Sequence, residues 1–356
     1  MWFASDNAGP AHPAVIEALL RANAGHAHGY GGDDGAARVA MLLREVLEAP
    51  DAAVFLVATG TAANALGLAC LCPPWATVFC HTQAHVQADE CGAVGFYAGA
   101  TLTPVAGDHG RIDPEELARA IRRAGDSVHQ VQRGALTLTN ATEAGTVYDP
   151  EAAARLAGIA RAAGMPVHMD GARFANAVAA LGCAPAEVTW KAGVDALSFG
   201  GTKNGLIGVE AVVLFDPARA WEFELRRKRA GHLFSKHRFL AAQMEASLTD
   251  GLWLETARAA NARAARLSAG LVGRGAELLH PTEANEVFAA LPAAAHRRAR
   301  EAGAEYYLWG EAGPEALDGP EDTMVPARLV CDWSTTEAEI DRFLALVGEE
   351  EVADRG

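Results

Sequence analysis

The sequence predicts an α/β protein organised around a mostly parallel sheet. Half of its 356 residues are hydrophobic, and short runs rich in Val, Leu and Phe alternate with Ala-rich segments of helical periodicity. This alternation is typical of parallel strands joined by crossover helices, and it argues against an all-β protein. A chain of this length can bury a sizeable core in one large domain with a smaller one beside it.

The N-terminal two thirds of the chain carry most of the predicted strands. Residues 13–23 predict a first helix, and "GHAHGYGGDD" (residues 25–34) predicts a loop. "AAVFLVATG" then predicts a buried strand, and "TAANALGLACL" predicts a helix that begins just after the turn at Gly60 and Thr61. Helices near residues 114–123, 150–163 and 172–181 separate several of the further predicted strands, which are "ATVFC", "ATLTPV", "GALTLT", "MPVHMD", "DALSFG" and "EAVVLFD".

The pattern changes near residue 245, which predicts two domains. An N-terminal segment and a large domain would occupy residues 1–245, and a small C-terminal α+β domain would occupy residues 246–356. The small domain is predicted to contain a long Ala/Arg helix over residues 251–272 and a final helix over residues 336–347. Between them, "NEVFAALP" and "ARLVCDW" predict strands.

Charge and cysteine usage narrow the range of partners. The formal net charge of −15 argues against nucleic acids and anionic membranes, because both are bound mainly through concentrated Lys and Arg. One basic run, at residues 226–229, is either a solvated helix face or a contact for a phosphate or a partner. Six cysteines without a C-x-x-C pair favour a reducing, cytoplasmic setting. No apolar run reaches the ~18 residues of a membrane helix, so a soluble, unexported chain is expected.

Lys203 is the first candidate for chemistry. It is one of only four lysines against 26 arginines, and it lies among glycines directly after the strand-like part of "ALSFGGTKNGL". Gly200, Gly201 and Gly205 would let a ligand approach the backbone closely. A lysine amine, unlike a guanidinium, can attack a carbonyl and form a Schiff base. We therefore interpret Lys203 as a nucleophile, and an ordinary loop lysine is the alternative.

Asp170 closes the predicted strand in "VHMDGARF", at the edge where open α/β sheets bind ligands. Its carboxylate could pair with the cationic ring nitrogen of pyridoxal phosphate (PLP), which acts as an electron sink. The alternative is a helix N-cap, since a helical pattern follows. Arg173 falls in the first turn of that predicted helix, where a structural helix would favour an acidic residue, and this favours a ligand role.

A phosphate site is indicated at Gly60 and Thr61, where a strand gives way to a helix. Free N–H groups at a helix N-terminus and a hydroxyl can bind phosphate without net positive charge. The chain contains neither G-x-G-x-x-G nor G-x-x-x-x-G-K-[ST], so dinucleotide and P-loop sites lose support.

Two further groups of residues are open to more than one interpretation. His81, His85 and Asp89 recur every four residues and would share one face of a helix, where they could bind a metal. His81 follows a predicted strand directly, however, so a stacking or acid–base role for His85, or a purely structural one, is preferred. Arg328 lies on an apolar strand of the small domain, and it either reaches outward to solvent or faces the cleft and binds a carboxylate.

Taken in order, seven motifs resemble those of the low-specificity L-threonine aldolases, which are fold-type I PLP enzymes of the β-eliminating lyase group. The resemblance spans nearly the whole chain, and its specificity comes from the order of the motifs. They are "SDNAG", "YGGDD", "TGTAAN", "HVQADECGA", "HMDGARFANA", "SFGGTKNG" and "ARLV".

The resemblance implies a role for each candidate residue. Lys203 would form the Schiff base with PLP, Asp170 would pair with the ring nitrogen, and His85 would stack on the ring. Glu90 matches a family carboxylate near this histidine. Gly60 and Thr61 would bind the phosphate, and the substrate carboxylate would be anchored by Ser5, Arg173 and Arg328. The loop with Tyr30 and Asp33 would reach a neighbouring subunit, which implies a homodimer or homotetramer with shared active sites.

The implied function is retro-aldol cleavage of L-threonine, L-allo-threonine and similar β-hydroxy-α-amino acids to glycine and an aldehyde. One departure from the family is Glu143 in "NATEAG", where many relatives carry a histidine, so His85, Glu90, Glu143 and an ordered water are all candidates for the base. A second is the longer basic stretch at residues 226–239, to which no role is transferred. Alternative functions are PLP-dependent β-elimination or transamination, a metal-dependent hydrolase using His81, His85 and Asp89, and a scaffold without activity.

Overall fold

The computed structural model describes residues 1–348 as two sheets flanked by helices. The larger sheet has seven strands, and each lies at a position that the sequence predicts. They are β1 (Ala53–Val57), β2 (Ala76–His81), β3 (Thr101–Val105), β4 (Gln132–Thr139), β5 (Val167–Gly171), β6 (Ala196–Phe199) and β7 (Glu210–Leu214).

The strand order of this sheet is β1-β7-β6-β5-β4-β2-β3. The strands from β6 to β3 are parallel neighbours, and β7 runs antiparallel to both β6 and β1. The predicted mostly parallel, mixed sheet is therefore confirmed. Because β4, β5 and β6 are parallel and adjacent, their carboxyl ends lie side by side at one edge, which is where open α/β sheets bind ligands.

Helices cover both faces of the larger sheet, because alternate strand residues enter two separate apolar clusters. For example, Phe79 and Leu138 join one cluster, whereas Val78 and Cys80 join the other. The helices are α1 (Pro13–Ala22), α2 (Asp34–Val46), α3 (Gly60–Leu71), α4 (His85–Ala88), α5 (Ala93–Ala98), α6 (Pro114–Arg122), α7 (Pro150–Ala162), α8 (Phe174–Leu181), α9 (Ala220–Arg229), α10 (Arg238–Leu248) and α11 (Leu252–Val272).

Two helices near the site, α2 and α8, differ from the sequence interpretation. Helix α2 was not predicted; it begins directly after the glycine-rich loop, where the Asp33 carboxylate accepts a hydrogen bond from the Ala36 amide. Helix α8 begins at Phe174 rather than at residue 172, because the amide of Ala172 donates to Asp170 Oδ1 instead (3.0 Å). Arg173 therefore occupies the N-cap position with a non-helical backbone, and it is not in the first turn as predicted.

The second sheet has the strand order β10-β11-β9-β8, all antiparallel. Its elements are β8 (Glu277–Leu278), β9 (Glu286–Pro292), α12 (Ala293–Glu301), β10 (Tyr307–Leu308), β11 (Met324–Val330) and α13 (Glu337–Gly348). The first residues of the chain belong to this sheet's core: Phe3 is fully buried with Leu329 and Phe343, and its amide donates to the Glu305 carbonyl. The N-terminal segment thus crosses from the small sheet to the edge of the large one.

Within residues 1–348, no helix combines the length and the apolar character that a membrane crossing requires.

Candidate active site

Lys203 lies just beyond the carboxyl end of β6, in a single 3-10 turn (Thr202–Asn204). A Cβ at Gly200 would collide with the carbonyl oxygen of Ala172, so glycine allows the loops after β5 and β6 to pack directly against each other. The carbonyl of Gly205 accepts a hydrogen bond from the His12 amide (2.8 Å). The backbone around Lys203 is therefore held from two sides, while its side chain is only half-buried.

A chain of hydrogen-bonded polar side chains begins at Asp170, at the end of the neighbouring strand β5. The Asn64 Nδ2 group on α3 donates to Asp170 Oδ2 (2.9 Å) and to Glu90 Oε1 (2.8 Å). Glu90 Oε1 also bonds His85 Nδ1 (3.0 Å). We call Asp170, Asn64, Glu90 and His85 the inner chain. It brings three of the predicted site residues together through one asparagine.

The inner chain sets the protonation of His85. The hydrogen bond to Glu90 raises the pKa of His85 above its usual value, although burial opposes the shift. Burial raises the pKa of Glu90, while the hydrogen bond from His85 acts in the opposite direction. A histidine that keeps a proton on Nδ1 for Glu90 is fixed in orientation, because its ring cannot turn without losing this bond.

The amino end of α3 lies where the sequence predicts a phosphate site. The Thr59 hydroxyl caps the helix by accepting from the Ala62 amide (3.2 Å). The amides of Gly60 and Thr61 are in the first turn, where a helix has no internal acceptor for them. A Cβ added at Gly60 would meet no heavy atom within 4 Å, so the space beside these amides is open.

Arg173 is buried and paired on both sides. Its Nε and Nη2 atoms donate to the two carboxylate oxygens of Asp6 (2.7 and 3.1 Å), and its Nη1 lies 3.2 Å from Glu286 Oε2. Asn285 Nδ2 donates to Asp6 Oδ2 as well (3.0 Å). Burial alone would raise the pKa of Asp6, but the positive charges of Arg173 and Lys203 hold it below its usual value. Asp6 is therefore an anion that ties the N-terminal segment to Arg173.

Arg328 on β11 faces the same region and retains a free donor. Its Nη2 donates to the Ala4 carbonyl (3.2 Å), and its guanidinium lies over the rings of Tyr307 and Trp309. Its Nε is buried, with no acceptor in the described part of the chain. Ser5, the next residue after Ala4, caps a short turn through its hydroxyl. We call Asp6, Arg173, Glu286 and Arg328 the outer cluster.

Tyr30 is placed apart from these residues. Its amide donates to the Ser235 carbonyl (3.1 Å), and the Lys228 amine lies 5.0 Å from the centre of its ring. More than half of its surface is exposed. Nearby Asp33 serves as the N-cap of α2. Their contacts join the loop of residues 25–34 to the basic stretch and not to Lys203.

The proposed metal ligands do not share a helix face. His81 is the last residue of β2, and only His85 begins α4. Both ring nitrogens of His81 already bond to backbone groups, namely the Gly107 carbonyl (3.0 Å) and the Gln83 amide (3.1 Å). His81 therefore has no nitrogen free for a metal. Across residues 1–348, no group of three His, Cys, Asp or Glu side chains has a geometry that could hold one.

Three residues of the site were missed by the sequence analysis: Asp6, Asn64 and Glu286. Asn64 could have been found, because it is the single polar side chain in the middle of the otherwise apolar run "AANALGLACL". Glu286 gives a similar signal as a carboxylate within the apolar strand "NEVFAALP". Asp6 directly follows the predicted Ser5, but nothing in the sequence shows that it faces Arg173.

The donor set fits a phosphorylated aromatic aldehyde. Lys203 offers an amine, Asp170 offers a buried carboxylate one strand away, and the open amino end of α3 offers unpaired amides. These groups match the amine, the ring-nitrogen partner and the phosphate site that PLP requires.

Comparisons with known proteins agree with this chemistry. The family model for beta-eliminating lyases matches residues 3–329. A low specificity L-threonine aldolase of Pseudomonas aeruginosa is 42% identical over 337 residues, which is 94% of this chain and 93% of that protein. Another, from a Pseudomonas species, is 40% identical over 346 residues, or 96% of each chain.

A solved structure gives the same result at the level of the fold. The threonine aldolase of Leishmania major superimposes with a TM-score of 0.90 over 97% of this chain and 98% of that one, at 26% identity.

Proposed function

The chain belongs to the beta-eliminating lyase family, and on that premise we propose that it cleaves L-threonine, L-allo-threonine and related β-hydroxy-α-amino acids to glycine and an aldehyde. It is a PLP-dependent lyase with the fold-type I architecture. The observation that carries the proposal is the placement of Lys203 and Asp170 at the ends of adjacent parallel strands. His85 and Arg328 supply the remaining groups that the reaction needs.

When bound, PLP supplies a carbonyl that condenses with amines and a ring that accepts the electron pair released at Cα. Lys203 would hold the cofactor through its amine, Asp170 would face the ring nitrogen, and the amides of Gly60 and Thr61 would face the phosphate. His85 would lie against the ring, and its bond to Glu90 (3.0 Å) fixes the plane in which it can do so. Asn64 keeps both carboxylates in place through its two N–H groups.

The substrate carboxylate would bind between the N-terminal segment and the small domain. Arg328 is the best-placed anchor, because its buried Nε lacks an acceptor within residues 1–348. Ser5 is next to the residue that Arg328 already bonds, and Arg173 is held nearby through Asp6. Anchoring this group fixes the rotation about Cα, and orientation decides which bond to Cα breaks.

We assign Glu143 as the base that accepts the proton of the substrate's β-hydroxyl group. Glu143 is half-buried in the loop after β4. Its charge raises the pKa of both His85 and Arg173, so it lies near both side chains. Glu90 is a poorer candidate because its side chain is fully buried: Oε1 accepts two hydrogen bonds, and Oε2, which has no partner within residues 1–348, has no access to solvent. His85 is a poorer one because Glu90 favours its protonated form, which cannot accept a proton.

The reaction class is tested by incubating the PLP-loaded protein with L-threonine and with L-allo-threonine. Retro-aldol cleavage yields equal amounts of glycine and acetaldehyde. β-Elimination would instead yield a keto acid and ammonia, and transamination would yield a keto acid without ammonia. Keto acid as the main product from both substrates would contradict the proposal.

Glu143→Gln tests the assignment of the base. Removing a positioned base costs ~10²–10⁴-fold in rate, so we expect kcat to fall by this factor while KM changes little. Glu151→Gln, at the exposed start of α7, is the matched control. An unchanged kcat in Glu143→Gln would transfer the role to His85 or to water.

We also propose a cytoplasmic homodimer or homotetramer with shared active sites. All six cysteines are free thiols, which supports a reducing compartment. The exposed ring of Tyr30, stacked with Lys228 on an outer loop, supports contact with a second subunit.

A further inference from the structure

In the outer cluster, two carboxylates contact the same guanidinium, that of Arg173. Asp6 occupies one edge of the Arg173 guanidinium by accepting from Nε and Nη2. Glu286 lies 3.2 Å from Nη1, the nitrogen that belongs to the other edge. A substrate carboxylate that binds Arg173 through two parallel hydrogen bonds needs that second edge. Glu286 therefore stands where the substrate would bind.

Glu286 has little other support for a negative charge. Its side chain is fully buried, and both of its oxygens lack a hydrogen bond of good geometry within residues 1–348. The charged groups that face it come from four separate segments. Arg173 and Arg328 favour its ionised form, whereas Asp6 and Glu143 oppose it.

We propose that Glu286 competes with the substrate carboxylate for Arg173, and that it releases this arginine by taking up a proton. Substrate binding is then coupled to proton uptake, and Glu286 acts as a gate on the carboxylate site. The inference rests on the proposed role of Arg173 and Arg328 as carboxylate anchors. It explains why a buried glutamate lies beside an arginine that Asp6 already neutralises.

Glu286 is expected to gain or lose its proton near neutral pH, where substrate binding can be measured. Burial raises its pKa to about 7, and the charges of Glu143 and Asp6 act in the same direction, against Arg173 and Arg328. A bound substrate carboxylate adds another negative charge and raises this pKa further. At pH values below this pKa the gate is already protonated, so affinity is constant. At pH values above it each bound substrate must bring a proton, so the dissociation constant rises by roughly tenfold per pH unit.

The test uses the PLP-loaded protein and glycine, measured by titration calorimetry between pH 6 and pH 9. Running each titration in two buffers of different ionisation enthalpy gives the number of protons taken up. We compare wild type with Glu286→Gln, which keeps the shape of the side chain but cannot ionise. Glu277→Gln, an exposed position on β8 of the same sheet, is the matched control.

Above pH 7 the ratio of the wild-type to the Glu286→Gln dissociation constant should rise about tenfold per pH unit. At pH 8 wild type should take up about one proton more than the variant, and Glu277→Gln should behave as wild type. Ionisation of glycine's own amine affects all three proteins equally, so the difference isolates Glu286. Identical pH profiles and proton counts would overturn the inference, and so would a variant that binds glycine more weakly than wild type at every pH.

Two further variants separate this inference from the proposed function. Arg328→Gln and Arg173→Lys should both weaken glycine binding if the arginines anchor its carboxylate. Suppose that both arginine variants bind glycine more weakly, but that the pH profile of Glu286→Gln is the same as that of wild type. This result would overturn only the role of Glu286 as a gate. Unchanged binding in both arginine variants would overturn the anchoring role itself.

Discussion

The inner chain and the outer cluster are opposite solutions to the burial of carboxylates. In the inner chain, Asp170 and Glu90 are separated by the Asn64 amide, which donates one N–H to each. The orientation of this amide is unambiguous, since the flipped form would direct its oxygen at two acceptors. No arginine takes part, and all four residues lie on or next to strands and helices of the larger sheet.

The outer cluster instead sets two carboxylates directly against one guanidinium. Asp6 and Glu286 both contact Arg173, with Arg328 close by. These residues come from the N-terminal segment, the end of β5 and the two long strands of the small sheet. We propose that the inner chain holds the cofactor in one arrangement. We propose that the outer cluster exchanges one anion, Glu286, for another, the substrate carboxylate.

The strongest test of this division is Lys203→Ala, which removes the amine that we propose holds the cofactor next to the inner chain. We expect loss of the visible absorbance of the protein-bound cofactor and a fall in turnover of at least ~10²–10⁴-fold, the range for a positioned proton-transfer group. Lys191→Ala is the matched control, because this lysine lies on the surface and pairs with Glu48. Retention of both absorbance and turnover in Lys203→Ala would remove the basis for the whole site.

The inner chain could be predicted from the sequence to a larger extent than the outer cluster. Lys203 and Asp170 were singled out because each lies at the end of a recognisable strand, whereas His85 was singled out by its spacing from His81 and Asp89 and by the family resemblance. The pairing of Arg173 with Asp6 and Glu286 spans more than 100 residues on each side, and no local pattern encodes such contacts. The seven strands of the larger sheet and strands β9 and β11 were predictable from their apolar runs, whereas the two-residue strands β8 and β10 were not predicted. Helix α2 was not, because the glycine-rich loop before it concealed its start at Asp34.

A smaller effect is expected from Arg328→Gln, which weakens the outer cluster without touching the inner chain. Hydrogen bonds to a charged group contribute ~1.5–3 kcal/mol, so KM for threonine should rise by about 10–150-fold. The value of kcat should change less, and the cofactor absorbance should be unaltered. Arg266→Gln, on the surface of α11 and paired with Asp341, is the control. A change in absorbance rather than in KM would show that the two regions are not independent.

The smallest effect on turnover, but an informative one, is expected from Asn64→Leu. The substitution leaves Asp170 and Glu90 without their shared donor, at a cost of ~1–3 kcal/mol for each buried group, measurable as a lower free energy of unfolding. Asn261→Leu removes a comparable pair of hydrogen bonds, to Asn176, away from the site and serves as the control.

The structural cost alone would not identify Asn64 as a positioning residue, so a second measurement is needed. Loss of its donor raises the pKa of Glu90, because the hydrogen bond from Asn64 acts to lower it. A Glu90 with a higher pKa favours the charged form of His85 less, so the pKa of His85 should fall toward its usual value. In an NMR titration the imidazole signal of His85 should therefore move to lower pH in Asn64→Leu and stay unchanged in Asn261→Leu. Equal stability losses with no shift of the His85 titration would mean that the inner chain is only a packing feature.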